Sequence, residues 1–246
     1  MMHQAHEADE RDEGELPQAD VEPFLLDEDD LHGLEALEGV SPQSIAEEPQ
    51  EALAILEEKM ARITRELAEG RINRAQFQAI YTHYSEQSTV IRRLIERDPH
   101  SQAWRRVAVE GHTRFLRQQY AAVVEGILIY DQGSGQVMRT LGRFALPADL
   151  LIALLEDLRQ GHSQEADETP HSTQIEGGRW LSFVSGAYTT TIVLFSAEPS
   201  GEQLRRQAAL HREFERLNRR WLMGGQTAPE RFPSLTYPQE ALLGGE

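Results

Sequence analysis

In Gly126-Ile-Leu-Ile-Tyr-Asp-Gln-Gly-Ser-Gly-Gln-Val-Met-Arg-Thr140, two short apolar runs stand on either side of Gly133-Ser-Gly135. This combination is typical of a β-hairpin. We expect the Gly-Ser-Gly run to be a turn rather than a phosphate loop, because no Lys-Ser or Lys-Thr follows it and the next element is a strand. The hairpin therefore marks the part of the chain in which a folded α+β domain begins.

Downstream of the hairpin, strands and helices alternate in an order that suits a small α+β domain. The predicted strands are Val123–Asp131, Gln136–Leu141, Ser172–Ile175, Arg179–Val184 and Tyr188–Phe195, and the predicted helices are Pro147–Gln160 and Gly201–Trp221. Apolar spacing predicts the buried stripe of the last helix to be Leu204, Ala208, His211, Phe214, Leu217 and Trp221. From residue 223 onward, frequent Gly and Pro predict a flexible tail, 223–246.

Upstream, residues 51–98 are predicted to form a helical hairpin. Apolar residues spaced three and four apart give one stripe on each helix: Leu53, Leu56, Met60, Ile63 and Leu67 on the first, and Phe77, Ile80, Tyr84, Ile91 and Leu94 on the second. Gly70 is expected to end the first helix in a left-handed conformation. Asn73 and Gln76 have the spacing of a capping box at the start of the second.

The net charge of −17 is concentrated at one end of the chain. Residues 1–50 hold 16 Asp and Glu against Arg11, or −15, whereas the remainder holds 25 acids and 23 bases, or −2. Such an acidic, proline-containing segment cannot bury enough apolar surface to fold alone, so residues 1–48 are predicted to be disordered. The acidic charge argues against nucleic acid as their partner.

Two segments are predicted to contact a protein partner. Residues 21–31 place four large apolar side chains among five acids, a composition that suits a basic-rimmed groove; a solvated tail is the alternative. These apolar residues are Phe24, Leu25, Leu26 and Leu31. The last helix carries a basic face that includes Arg212, Arg216 and Arg219, for which a solvated helix surface is the alternative. Because the N-terminal segment is acidic and the last helix is basic, an autoinhibitory contact between the two is a hypothesis.

The order of elements over roughly residues 101–222 resembles the Roadblock/longin group of profilin-like domains. The resemblance is carried by Val124-Glu-Gly-Ile-Leu-Ile-Tyr-Asp131 with Gly135-Gln-Val137, by the helix from Asp149, and by Thr189-Thr-Thr-Ile-Val-Leu-Phe195. It implies a five-stranded antiparallel sheet with flanking helices, homodimerisation and binding of small GTPases without catalysis. The segment Ile63–Phe77 resembles a SHOCT segment, which implies oligomerisation or docking.

No catalytic or cofactor motif is found. The chain has no Cys, which excludes disulfides, thiol nucleophiles and Cys-based zinc sites. Of its nine His, His3 and His6 are three residues apart, but both lie in the segment predicted to be disordered, so no metal site is predicted. His211 is expected at the boundary of the core. Serines in or beside the strands lack the G-x-S-x-G frame of a hydrolase. The chain also lacks a secretory signal and an 18-residue apolar run, which predicts a cytoplasmic protein without membrane insertion.

The sequence therefore favours a non-catalytic cytosolic adaptor that self-associates and binds a protein partner, with a small GTPase as one candidate. The self-association surface is expected at a sheet edge or on the helix bearing Leu151, Leu154, Leu155 and Leu158. The alternative is a PAS- or GAF-like sensor, which would need a cavity lined by Ile127, Ile129, Phe183, Ile192 and Leu194. An enzyme without a sequence motif is a third hypothesis.

Overall fold

The computed structural model describes residues 46–108, 113–160, 169–223 and 235–244, without the side chains of residues 158–160. The chain divides into two units, Met1–Ile45 and Ala46–Glu246, and every described residue belongs to the second. The predicted disorder of residues 1–48 therefore falls almost wholly outside the described residues. None of the described helices combines the length and the apolar composition that crossing a bilayer requires.

The predicted helical hairpin is present as α1 (Pro49–Ala68) and α2 (Arg74–Arg97). Gly70 has a φ of 70°, and the backbone N–H of Arg71 returns to the carbonyl of Glu66, which closes the end of α1. Asn73 and Gln76 form the predicted capping box. The two stripes meet in a core in which Ile63, Ile80 and Ile91 are completely buried and Leu56 and Tyr84 nearly so.

Two short helices, α3 (Trp104–Val107) and α4 (Thr113–Gln119), lie against this hairpin. Gln76 donates to the Arg117 carbonyl at 2.7 Å, and the hydroxyls of Tyr84 and Thr113 are 2.7 Å apart, so α4 runs antiparallel to α2. From sequence, the mostly helical apolar spacing of residues 101–120, broken by Gly111-His112, is compatible with one kinked helix or with a helix followed by an extended connection. Two helices are observed, separated by residues outside the described part.

The α+β domain contains a five-stranded antiparallel sheet, as predicted. Its strands are β1 (Val124–Asp131), β2 (Gln136–Gly142), β3 (His171–Gln174), β4 (Trp180–Ser185) and β5 (Thr189–Phe195), in the order β2-β1-β5-β4-β3. The helices α5 (Ala148–Gln160) and α6 (Gly201–Leu222) complete it, together with a 3₁₀ helix at Pro238–Leu242. A bulge at Ile129/Tyr130 interrupts the pairing of β1 with β2.

The two faces of the sheet have separate cores, because side chains alternate along each strand. One face packs under α6 through residues that include Ile127, Ile129, Val193, Phe195 and Phe214. The other face packs under α5 through Leu128, Tyr130, Leu181, Ile192 and Leu194. The five residues named for a sensor cavity therefore do not line one cavity, since Ile127 and Ile129 lie on the opposite face from Ile192 and Leu194.

The C-terminal strap, residues 235–244, is part of the core rather than a flexible tail. Leu235, Tyr237 and Leu242 are buried in the cluster under α6, and the Tyr237 ring stacks on Phe214 with centroids 5.5 Å apart. The Asn218 side chain donates to the Thr236 carbonyl at 2.7 Å and accepts from its N–H at 3.0 Å. The prediction of a flexible tail at residues 223–246 is therefore wrong for the strap. Residues 224–234 lie outside the described part.

Titration of Tyr237 gives a pH-dependent test of this packing. Burial raises the pKa of its phenol, although Arg139, 5.5 Å from the ring, opposes the shift. The stability contributed by the neutral phenol is fully present below the pKa of an unfolded tyrosine, about 10, and is lost as the pH rises through the raised pKa of the folded state.

We therefore expect Tyr237→Phe to flatten the fall in unfolding free energy between about pH 9 and about pH 11, measured by urea denaturation at each pH. Tyr81→Phe is the control, because the Tyr81 side chain is exposed. Equal slopes in the wild type and in Tyr237→Phe would contradict the packing of Tyr237.

The helical hairpin is joined to the first turn of α6. The Gly70 carbonyl accepts from the N–H of Glu202 at 2.7 Å, and Asn73 donates to the carbonyls of Tyr120 and Glu198 at 2.9 Å each. A Cβ on Gly201 would stand 3.2 Å from the Gly70 Cα, so the two backbones approach closely only because both residues are glycine. This contact completes the N-terminus of α6, whose first N–H groups lack partners within the helix.

Candidate functional site: the outer face of α6

Helix α6 has an exposed outer face and a buried inner face. A capping box between Ser200 and Gln203 starts the helix, and Gln203 also donates to the Ala122 carbonyl at 2.7 Å. All six arginines of the helix are exposed: Arg205, Arg206, Arg212, Arg216, Arg219 and Arg220. The buried face consists of Gln207, Ala208, His211, Phe214, Asn218 and Leu222.

The buried polar groups hold α6 to the sheet. Gln207 accepts from the Ser182 hydroxyl at 2.6 Å and donates to the carbonyls of Ser182 and Thr191 at 3.4 and 3.3 Å. His211 is fully buried, and not at the core boundary as predicted; its Nδ1 lies 2.8 Å from the Thr191 hydroxyl. Buried polar groups without partners are costly, so these bonds restrict α6 to one position on the sheet.

The strap joins this network. The Gln239 amide of the strap donates to the Thr191 hydroxyl oxygen at 3.4 Å. On the other side of the ring, His211 Nε2 lies 3.8 Å from the Glu215 carboxylate. The strap, the central strand and α6 are linked through these four side chains.

Glu215 organises the turn between β4 and β5. Its Oε1 accepts from the N–H groups of Tyr188 and Thr189 at 3.0 and 2.8 Å and from the Thr189 hydroxyl at 2.9 Å, and its Oε2 accepts from the Ala187 N–H at 3.0 Å. A Cβ on Gly186 would stand 2.5 Å from the carboxylate, so glycine leaves the room that Glu215 occupies. The carboxylate therefore stabilises the turn by accepting hydrogen bonds from its backbone.

Thr191, His211 and Glu215 follow the order hydroxyl, imidazole, carboxylate that hydrolases use. However, Thr191 and His211 are both completely buried, Thr191 on the central strand β5 and His211 under α6. A substrate carbonyl cannot reach the Thr191 oxygen without removal of the helix. We conclude that this arrangement is structural.

Large apolar side chains stand beside the arginines on the outer face. Leu217 and Trp221 are 45% and 46% exposed, and Met223, just after the helix, is 60% exposed. The predicted stripe is therefore wrong at its C-terminal end, where Asn218 and Leu222 are buried in place of Leu217 and Trp221. Exposed apolar groups of this size, adjacent to one another, are typical of binding surfaces.

Arginines in both halves of α6 contact neighbouring groups. Arg205 donates to the Glu69 carbonyl at 2.9 Å and Arg206 to the Ala241 carbonyl at 3.0 Å, whereas Arg216 lies 3.6 Å from the Glu213 carboxylate. The first two attach the N-terminal half of α6 to the hairpin and to the strap. The arginines of the C-terminal half, together with Leu217 and Trp221, form what we call the partner face: Arg212, Arg216, Arg219, Arg220, Leu217 and Trp221.

The ends of two strand pairs form a cleft of about 250 Å³. Asp131 is buried there, and its carboxylate accepts from the Ser134 N–H at 2.8 Å. The Gln132 amide donates to the Thr189 carbonyl at 3.2 Å. Ser134 lies in the turn predicted from Gly133-Ser-Gly135. The cleft is lined by Asp131, Gln132, Gly133, Ser134, Ala187, Tyr188 and Leu222.

The structure separates the residues that the sequence placed at partner surfaces. Leu151, Leu154 and Leu155 are half-buried against the sheet, which accounts for their apolar character without a second chain. The neighbouring Ile152 is largely exposed. Arg212, Arg216 and Arg219 are exposed on α6 as expected. Phe24, Leu25, Leu26, Leu31 and the side chain of Leu158 lie outside the described residues.

Sequence reasoning missed Glu215 and the exposure of Leu217 and Trp221. A signal was present, since Gln207, His211 and Asn218 recur at helical spacing and mark a polar stripe on the inner face. Within the described ranges, no group of three or more His, Asp or Glu side chains is arranged to hold a metal ion. Comparison of the chain with protein-family models, with curated proteins and with solved structures gives no match.

Proposed function

We propose that this protein is a non-catalytic cytosolic adaptor that self-associates and binds a protein partner through the partner face of α6. The observation that carries the proposal is the exposure of Leu217 and Trp221 beside a row of arginines, on a helix that buried hydrogen bonds hold in place. A rigid surface that combines an aromatic anchor with arginines has the composition of protein-binding hot spots. A small GTPase is the partner class that the Roadblock/longin resemblance implies.

Self-association is proposed at the edge strand β3. All four of its residues, His171 to Gln174, are exposed, and none of them is Asp, Glu, Lys or Arg. The opposite edge, β2, carries the exposed Arg139 and borders a bulge, two devices that protect sheet edges from pairing. An uncharged edge suits antiparallel pairing with the same strand of a second chain. The helix bearing Leu151, Leu154 and Leu155 is the less favoured surface, because those side chains pack on the sheet.

We expect Ser172→Lys to weaken self-association at least about tenfold, because a lysine on each paired edge places like charges opposite one another. The measurement is multi-angle light scattering over a dilution series. Thr140→Lys is the matched control, since Thr140 is an exposed neutral residue on the other edge strand. A chain that remains monomeric at all concentrations, or equal dimerisation of both variants, would contradict the proposal.

A PAS- or GAF-like sensor is the alternative function, and the cleft at the ends of the strands supports it. Its lining includes a buried carboxylate, Asp131, which could orient a polar ligand. The adaptor is favoured because both faces of the sheet have packed apolar cores and because Leu217 and Trp221 are exposed on α6.

A further inference from the structure

We infer that the partner face binds an acidic peptide segment that carries clustered large apolar side chains, supplied by a separate protein. This inference rests on the proposed function, and it names the chemistry of the partner. It follows from the placement of charge and apolar surface around α6.

The partner face is divided into two flanks along the helix axis. At about 100° per residue, Arg212, Arg216 and Arg219 fall within an arc of roughly 60°, whereas Leu217 and Trp221 fall within roughly 40° of each other on the opposite flank. The arginine row extends over roughly 10 Å, at 1.5 Å per residue. A ligand that uses both flanks must therefore carry carboxylates along one side and apolar groups along the other.

The charge of the outer face is strongly positive. Six exposed arginines stand against Glu202 and Glu213, a difference of +4, because the third acid of the helix, Glu215, is turned inward to the β4–β5 turn. Guanidinium groups bind carboxylates with two parallel hydrogen bonds, and Arg and Trp together dominate the energetics of many interfaces. Charge complementarity therefore selects an acidic ligand.

Two other polyanions fit the face less well. Nucleic acid binds a continuous basic surface, yet here the single arginine row occupies one flank and Leu217 and Trp221 occupy the other. Residues 51–246 are also slightly acidic in sum, with 25 acids against 23 bases. A helix lying on an anionic membrane needs a broad apolar face, but the apolar face of α6 is occupied by the sheet and the strap. An acidic peptide with large apolar side chains supplies both the carboxylates and the apolar groups that the partner face can contact.

The test uses a fluorescein-labelled peptide with the sequence of residues 21–31, whose five acids and clustered Phe and Leu supply the required chemistry. Binding is followed by fluorescence anisotropy with the full chain carrying Phe24→Ser, Leu25→Ser and Leu26→Ser, so that its own copy of the sequence does not compete. We expect saturable binding that weakens as NaCl is raised from about 0.1 M to about 0.5 M. Peptides with the acids changed to amides, or with Phe and Leu changed to Ser, should bind about tenfold more weakly.

Variants of the partner face locate the binding. Arg216→Glu with Arg219→Glu, and separately Leu217→Ala with Trp221→Ala, should each weaken peptide binding at least about tenfold. Arg93→Glu and Phe115→Ala are the controls, because both residues are exposed on the helical layer. Circular dichroism verifies that all four proteins are folded.

Three results would overturn the inference: equal peptide binding by the face variants and the controls, insensitivity to removal of the acids, or binding of phosphatidylserine vesicles or single-stranded DNA in the absence of peptide binding. The proposed function is tested separately, by measuring dimerisation alongside peptide binding. Loss of peptide binding with intact, Ser172-dependent dimerisation rejects only the chemistry of the partner, whereas a chain that neither dimerises nor binds the peptide rejects the adaptor as well.

Discussion

Removal of residues 235–246 is expected to lower the unfolding free energy by at least about 5 kcal/mol, which is comparable to the whole stability of many domains. The strap places Leu235, Tyr237 and Leu242 in the core under α6, and each large buried side chain contributes about 2 to 5 kcal/mol. Its loss also leaves the Asn218 side chain without the Thr236 backbone, with which it exchanges two hydrogen bonds. Urea denaturation followed by far-UV circular dichroism measures the effect.

Two further variants make the strap experiment decisive. Leu242→Ala should cost about 2 to 3 kcal/mol and still allow folding, so it gives a measurable value if the shortened chain does not fold. A chain ending at Gly244 is the control, because it retains the whole strap. If the chain without residues 235–246 were as stable as this control, the strap would not belong to the core.

Glu215→Ala is expected to lower the unfolding free energy by about 3 kcal/mol. The substitution removes the acceptor of three backbone N–H groups and of the Thr189 hydroxyl, and unsatisfied donors in a partly buried turn are costly. Thermal or urea unfolding gives the size of the effect. Hydrogen exchange should show faster exchange at Ala187, Tyr188 and Thr189.

The matched control is Glu213→Ala, two residues away on the outer face. Its carboxylate has a surface ion pair with Arg216 at 3.6 Å, which is worth less than about 1 kcal/mol. Glu215→Gln should fall between the two alanine variants, because the amide retains an oxygen acceptor but loses the charge. A Glu215→Ala protein as stable as Glu213→Ala would show that the turn does not depend on the carboxylate.

The sequence predicted the elements of this fold well, for reasons that are local. The hairpin at Gly133-Ser-Gly135, the capping box at Asn73 and the left-handed Gly70 each depend on a few neighbouring residues, and all three are observed. Apolar periodicity located both helical stripes of the N-terminal hairpin. Strand ends were predicted to within one residue, because turn residues bound the strands on both sides.

Long-range packing could not be predicted in the same way. Trp221 is apolar and sits at helical spacing from Phe214, so periodicity placed it in the core, but the strap and a polar stripe determine which face of α6 is buried. The burial of Gln207 and His211 depends on partners on β4 and β5, about 20 residues away. Similarly, nothing local to residues 235–242 indicates that they cover a sheet face.

The unequal edges of the sheet limit the size of any assembly that forms through β3. Pairing of β3 with β3 is isologous, so each chain uses its one uncharged edge in a single contact. The two edges that remain are both β2, each carrying an exposed arginine beside a bulge. An assembly built through β3 would therefore stop at two chains, as a closed pair rather than an open fibre.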